Sequence, residues 1–227
     1  MDFSSGMRKQ REEMVREIKD KYGFKNSGIL SVMLQVPRHK FVDRKYWDIA
    51  YSDGPVPIGF SQTMSQPYTV AFMTDLAVGK RQEVKVKRKG IVLEVGTGSG
   101  YQAAILSKFF KEVYTVEIVP ELAIRARTVL ARIGYKNVYV KEGSGEWGWK
   151  EKALFDAIIV TAGMEHVPGE LFEQFKIGGV LLAPVGEKED KIMTRFTKSK
   201  IFGKVKNIKE EFGTFHFVPF VAKKNYS

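Results

Sequence analysis

Not one of the 227 residues is cysteine. Disulfides, thiolate metal sites and a cysteine nucleophile are therefore excluded. Histidine is scarce as well: His39, His166 and His216 stand far apart in the sequence. They suggest no dyad and no metal cluster, so each reads as a structural or surface residue and no metal is expected. No run approaches the about 18 consecutive apolar residues from which a membrane-spanning helix is read. The opening Met1-Asp2-Phe3-Ser4-Ser5-Gly6 lacks the basic segment and apolar run of a secretory signal. A cytoplasmic protein without membrane association is the expectation. Internal repeats and low-complexity segments are missing too.

Positive charge is plentiful. Lysine and arginine number 37 against 26 acidic residues, for a formal net charge of +11. That balance would suit a polyanionic partner. The basic residues are scattered, however, over Lys80, Arg81, Lys85, Lys87, Arg88 and Lys89 and again across residues 188–209. Aromatic residues are not interleaved among them as a nucleic-acid stacking platform requires. A solvated lysine-rich surface is the preferred reading, and no nucleic-acid partner is expected.

The length allows one large domain with a substantial core. A single unit over residues 1–227 is expected: 1–66 a helical extension and substrate loop, 67–227 a cofactor-binding core with C-terminal strands. Residues 7–21 are charged with sparse apolar positions, as in a solvent-facing helix. Ser27 is placed to cap a second helix that Pro37 ends after Gln35. Residues 51–66 are rich in glycine, proline and serine and too long for a simple connection, which suggests a functional loop. Pro67 then suits the first turn of a helix over residues 68–76.

From Ile91 the rhythm changes. Apolar runs at 91–95, 113–116, 137–140, 157–160 and 179–185 alternate with helical patterns at 101–110, 120–133 and 169–175. Such alternation predicts an α/β fold with a parallel sheet covered on both faces. Residues 191–197 and 212–221 read as antiparallel strands at the C-terminal end.

The most informative run is Leu93-Glu94-Val95-Gly96-Thr97-Gly98-Ser99-Gly100. Glycines between a buried strand and a helix allow a tight turn and close backbone approach to a ligand. Two details favour S-adenosylmethionine over a dinucleotide. The third glycine of a dinucleotide fingerprint would fall at Tyr101 and is missing. Glu94 also ends the strand where an acid can face a sulfonium and an ammonium. The second strand ends in Glu117, with Ile118 beside it, about 20 residues past the turn, where a carboxylate can accept the ribose hydroxyls. After the third strand, the loop Glu142-Gly143-Ser144-Gly145 is placed to edge against an adenine. Candidate cofactor residues are therefore Glu94, Gly96, Thr97, Gly98, Ser99, Glu117, Ile118, Gly143 and Ser144.

Several segments together resemble one family. Val36-Pro37-Arg38-His39-Lys40-Phe41-Val42, Pro57-Ile58-Gly59, Gln62-Thr63-Met64-Ser65-Gln66-Pro67-Tyr68, the glycine run, Phe155-Asp156-Ala157-Ile158-Ile159-Val160-Thr161-Ala162 and Phe217-Val218-Pro219 are similar to the protein-L-isoaspartate (D-aspartate) O-methyltransferases. The glycine run is common to many methyltransferases, whereas the segments around Arg38 and Ser65 are more specific. The resemblance implies a Rossmann-like methyltransferase sheet. It also implies methylation of the α-carboxylate of isoaspartyl and D-aspartyl residues in damaged proteins, an ester that collapses to a succinimide and so begins repair. It makes Ser65 the active-site residue and assigns Ile58, Thr63, Met64, Phe217 and Val218 to peptide binding. A monomer acting on isoaspartyl proteins and peptides is expected.

Chemistry agrees with that set. An α-carboxylate with a pKa of about 3.5 is ionised at neutral pH and needs no general base, so catalysis reduces mainly to positioning two reactants. Ser65, ahead of a helix N-terminus, supplies a hydroxyl near unpaired backbone N–H groups; the alternative is that Ser65 or Gln66 merely caps that helix. One departure stands out. The family usually reads Gly-Asp-Gly where this chain has Gly143-Ser144-Gly145, which replaces a charged adenine acceptor by a neutral one. Two competing functions remain to be weighed. A nucleic-acid methyltransferase acting on amino groups would commonly carry an Asn/Asp-Pro-Pro-aromatic turn after the fourth strand, where this chain reads Thr161-Ala162-Gly163-Met164. A non-catalytic module that only recognises isoaspartyl protein is the other.

Overall fold

The computed structural model describes residues 3–79, 90–187 and 190–222. The Met1-Asp2 start, the basic run from Lys80 to Lys89 and Lys188 of the second basic stretch lie outside these residues.

Helix α1 (Phe3–Tyr22) is charged over most of its surface, yet Met7, Met14, Val15 and Ile18 fall on one face and are buried. The helix expected to face solvent is thus amphipathic, with that stripe in the main core. Helix α2 (Ser27–Gln35) is capped by Asn26, not Ser27. The Asn26 Oδ1 accepts from the Ile29 N–H at 3.2 Å, and its Nδ2 donates to Asp75 Oδ1 at 2.6 Å on α3 (Pro67–Val78). The cap therefore also fastens α2 to α3.

Residues 51–66, read as loop, contain a short antiparallel hairpin of β1 (Val56–Gly59) and β2 (Gln62–Met64). Val56 and Ile58 turn inward and are fully buried. The turn between the strands puts Phe60 and Ser61 at φ of 54° and 55°. Glycine or asparagine normally announces such a turn, so the residue types concealed it.

The main sheet has seven strands in the order β5-β4-β3-β6-β7-β8-β9. Strands β3 (Ile91–Val95), β4 (Glu112–Glu117), β5 (Val138–Glu142), β6 (Phe155–Val160) and β7 (Phe175–Val185) run parallel. Strands β8 (Asp190–Ile201) and β9 (Lys204–His216) are antiparallel additions at one edge. Helices α4 (Tyr101–Leu106), α5 (Pro120–Ile133) and α6 (Gly169–Glu173) connect the parallel strands. Strands β3 and β6 at the centre are almost wholly apolar and buried, as strands covered on both faces must be. The chain leaves β3 toward β4 on one side, while β6 lies on the other. That reversal opens a crevice beyond the carboxyl ends of β3 and β6.

Some boundaries depart from expectation. Helix α4 stops at Leu106 rather than 110, where the Ser107 hydroxyl turns back to Ala104 O at 2.7 Å. Strand β9 begins at Lys204 and ends at His216, whereas 212–221 was the expected strand. Its first half is exposed on both faces and so shows no alternation to read. Residues 217–222 leave the sheet, and Gly163 fastens them by donating to Val218 O and accepting from the Phe220 N–H, both at 2.8 Å. Replacing Asn26 by alanine removes the α2 cap and the link to Asp75, and should cost about 1–2 kcal/mol of stability. Denaturant unfolding checks this; an unshifted midpoint would show that the cap contributes nothing.

Candidate active site

The turn after β3 is held from both neighbouring strands. Gly96, at φ 98°, leaves no room for a Cβ against the Thr161 hydroxyl at the end of β6. That hydroxyl donates to Gly96 O at 2.7 Å and lies 3.1 Å from Val95 O. From the other side Glu117, at the end of β4, accepts the Gly98 N–H through Oε2 at 2.7 Å and the Val119 N–H through Oε1 at 3.0 Å. Burial raises the Glu117 carboxyl above its ordinary pKa, opposed by those backbone donors.

Glu94 lies deeper and is fully buried. Its Oε2 accepts from the Thr115 hydroxyl at 2.5 Å, and Thr115 pairs in turn with Thr97 at 2.7 Å. Its Oε1 has no partner among the described residues. Burial pushes the Glu94 carboxyl up to about 8; the Thr115 hydrogen bond opposes the rise and the Glu117 charge adds to it.

Two adjoining cavities flank this turn. The first is lined by Glu94, Gly96, Thr97, Gly98, Ser99, Glu117 and Ile118, with Thr63, Met64 and Ser65 on one wall and residues 218–221 on another. The second lies among Tyr22, Asp53, Gln66, Tyr68, Thr69 and residues 213–218. Thr63, Ser65, Thr161 and Val218 line both. Ser65 thus stands on the partition. Its hydroxyl makes no hydrogen bond among the described residues, and the N-cap of α3, Gln66, makes no side-chain cap bond. Gln66 instead donates to Asp53 Oδ1 and the Tyr22 hydroxyl, both at 2.9 Å. The capping alternative for Ser65 and Gln66 is not what this geometry contains.

The other expected residues are distributed unevenly. Phe217 lines only the second cavity, Met64 only the first. Ile58 lines neither: it is fully buried behind the glycine turn, and its carbonyl accepts from Arg125 at 3.0 Å. Gly143 donates to Glu117 O at 2.8 Å, and the cavity wall is formed two residues later by Gly145. Ser144, between them, is buried with a hydroxyl that has no partner among the described residues. The three histidines are dispersed. His39 is buried against the Tyr51 hydroxyl at 2.7 Å, and burial lowers it to about 4, so it is neutral. His216 is exposed beside Asp190 at 2.7 Å, and His166 is exposed.

Several lining residues went unread in the sequence. Thr161 was within reach, because it ends the strand beside β3, where a ligand crevice opens. Asp53 lay within the loop read as functional but was not singled out, and Tyr22 and Phe220 reach the cavities from distant segments and carry no local signal.

An adenosylmethionine molecule suits the first cavity on its polar groups. Glu94, which lines it, keeps Oε1 without a partner among the described residues, Ser144 next to the wall residue Gly145 keeps Oγ without one, and the turn admits a ligand where side chains would exclude it.

Residues 9–225 match the model of the family described as Protein-L-isoaspartate(D-aspartate) O-methyltransferase. The chain belongs to this family. Among curated relatives, a protein-L-isoaspartate O-methyltransferase of Geobacter metallireducens is 50% identical over 178 residues, 78% of this chain and 79% of the relative. One of Syntrophotalea carbinolica is 42% identical over 226 residues, 98% and 96% of the two chains. A solved protein-L-isoaspartate O-methyltransferase superposes with a TM-score of 0.78 at 27% identity, covering 92% of this chain. This chain spans 65% of that protein's length. A Plasmodium falciparum structure described as a member of the same class, in complex with S-adenosyl-L-homocysteine, gives 0.79 at 23% identity over 93% and 98% of the chains. At that identity the likeness is one of fold, and it shows the Rossmann-like methyltransferase architecture here.

Two predictions follow the orphaned acceptors of this family member. If an ionised Glu94 meets the cofactor's positive charge, a carboxyl with a pKa of about 8 must release its proton on binding at pH 7. Calorimetry of adenosylmethionine binding in buffers of different ionisation enthalpy should then find up to one proton released, and none from Glu94→Gln. Equal release from both chains would remove Glu94 from that role. If the Ser144 hydroxyl finds its partner only in the cofactor, Ser144→Ala should weaken binding by about 0.5–1.5 kcal/mol, roughly two- to tenfold. Its unfolding midpoint without cofactor should not fall. A lower midpoint with unchanged affinity would mark Ser144 as purely structural.

Proposed function

We propose that this chain transfers a methyl group from S-adenosylmethionine to the α-carboxylate of L-isoaspartyl and D-aspartyl residues in damaged proteins. The observation that carries the assignment of parts is the shared wall: Ser65, with an uncommitted hydroxyl, belongs to both cavities.

In this reading the first cavity takes the cofactor, with Glu94, Gly96, Thr97, Gly98, Ser99, Glu117 and Ile118 around it and Gly143 and Ser144 behind the adenine end. The second takes the acceptor peptide, with Thr63, Phe217 and Val218 on its walls and Met64 on the cofactor side of the partition. Ile58 serves only as support for the glycine turn. Residues 1–227 act as one unit, with 1–66 supplying the acceptor wall and 67–227 the cofactor core and C-terminal strands. The bound cofactor supplies a methyl group on a sulfonium, which leaves as a neutral thioether.

What the protein must do is hold and orient. The isoaspartyl α-carboxylate arrives ionised, so no side chain need remove a proton. Ser65 donates its hydroxyl hydrogen to one carboxylate oxygen, leaving the other free to attack. Its neighbours in the partition set the approach, and that ordering is the main source of rate. The neighbouring backbone nitrogen then attacks the ester carbonyl, the ester C–O bond breaks, and methanol leaves with the nitrogen's proton to give the succinimide. We further infer a cytoplasmic enzyme acting as a single chain on isoaspartyl proteins rather than nucleic acid. Thr161 stands where base-amino methyltransferases carry their Asn/Asp-Pro-Pro-aromatic turn, and its hydroxyl is committed to Gly96 O.

Transfer of a radiolabelled methyl group to an isoaspartyl peptide, with the normal aspartyl peptide as control, tests the activity. Ser65→Ala should lower kcat about ten- to a hundredfold, the value of one hydrogen bond to a charged group, with little change in melting temperature. A loss confined to stability would return Ser65 to a structural role.

A further inference from the structure

Among the described residues Arg38 is the largest fully buried side chain, and no carboxylate pairs with it. A buried guanidinium without an acid is costly, so what it holds is informative. Its Nε donates to Ala50 O at 2.8 Å, and its Nη2 donates to Ser65 O at 2.7 Å. Its Cζ lies over the Tyr101 ring, 4.9 Å from the centroid. Burial lowers its pKa to about 10, so it remains a cation at neutral pH.

Those three contacts join otherwise separate parts. Ala50 precedes the hairpin of β1 and β2, Ser65 follows it, and Tyr101 is the first residue of α4, directly after the glycine turn. One rigid side chain therefore spans both ends of the acceptor segment and braces them against the cofactor loop. We propose that Arg38 is a positioning residue that fixes the main chain of Ser65 relative to the cofactor turn, and so sets the distance and angle between the two reacting groups. The inference rests on the reading of Ser65 as the acceptor-site residue.

The planar fork is what the task requires. Guanidinium presents donors in fixed directions and stacks on an aromatic face; a lysine ammonium keeps the charge but can do neither. Displacement of reacting groups by about 1 Å can cost on the order of a hundredfold in rate. The carboxylates and glycine turn of the cofactor cavity, by contrast, come from β3, β4 and the turns after them, to which Arg38 makes no hydrogen bond; it touches that cavity only through Ser65 and the Tyr101 ring.

Arg38→Lys and Arg38→Met would be prepared alongside the wild type, and cofactor-binding sites counted by adenosylmethionine titration. Turnover of an isoaspartyl peptide would then be expressed per cofactor-binding site, which removes any misfolded fraction. The expected result is a fall in kcat of roughly ten- to a hundredfold in Arg38→Lys, a deeper fall in Arg38→Met, and a cofactor Kd within about twofold of wild type. A merely structural arginine would lower the melting temperature and the number of binding sites but leave kcat per site unchanged, and that result overturns the proposal. So does a loss confined to KM, or a cofactor Kd that worsens in step with kcat in Arg38→Lys. Should Arg38→Met fail to fold, Arg38→Lys still decides. If the wild-type chain binds cofactor but methylates no isoaspartyl peptide, it is the functional assignment that fails.

Discussion

The turn that leaves β3 is clamped from both sides, by the Thr161 hydroxyl on the carbonyls of Val95 and Gly96 and by the Glu117 carboxylate on the Gly98 N–H. Each clamp comes from a strand that pairs directly with β3. The turn thus inherits its shape from the sheet register rather than from its own sequence, which is mostly glycine and small polar residues. Everything else in the site is referred to that turn. Glu94 precedes it, Tyr101 follows it, Ile58 packs behind it, and residues 218–221 lie across the cavity from it. Gly96 has no alternative, because any Cβ there would displace Thr161.

The same construction gives the site a sign. Glu94 and Glu117 are both buried beside one cavity, and neither has a cationic partner among the described residues. Their carboxyls are raised as a consequence. A chain of net charge +11 therefore keeps an acidic interior at its centre. Such a pocket favours a ligand carrying an ammonium and a sulfonium, whose positive charge would favour the ionised form of Glu94. The two acids are not equivalent. Glu117 spends one lone pair of each oxygen on the backbone and is fixed in place, whereas Glu94 keeps one oxygen free. The first shapes the turn, and the second is left for electrostatics.

The parallel sheet was legible because its strands are apolar runs bounded by glycine and helical spacing, and α5 was read to the residue from Pro120 and the glycine after Ile133. The candidate cofactor residues were picked out because they sit at strand ends in order, and seven of them, Glu94, Gly96, Thr97, Gly98, Ser99, Glu117 and Ile118, line one cavity. What escaped has physical causes in each case. Asn26 precedes a serine of equal capping ability, and only the tertiary bond to Asp75 distinguishes them. The β1–β2 turn is made by Phe60 and Ser61 in a conformation their chemistry does not advertise. Strand β9 lacks a buried face over its first half, so hydrophobic periodicity had nothing to report. Ser144 was legible as a departure from a family pattern, but its orphaned hydroxyl could be found only in three dimensions.

The second cavity is assembled differently from the first. The glycines and carboxylates of the first come from the ends of β3 and β4, while the second draws Tyr22 from α1, Asp53 and Ser65 from the hairpin segment, and Phe215 and Phe217 from the chain's late residues. These parts meet through aromatic and polar contacts. Tyr22 stacks on Tyr68 at 3.9 Å, Tyr68 on Phe215 at 6.3 Å, and Asp53 collects Lys21, Tyr22 and Gln66. Because the lining residues of the second cavity come from segments far apart in sequence, each can vary without disturbing the clamped turn. The N-terminal extension is therefore more than a cover for the sheet: with α1 removed, the second cavity would lose a wall and Asp53 two of its donors. The cofactor turn would keep every bond that defines it.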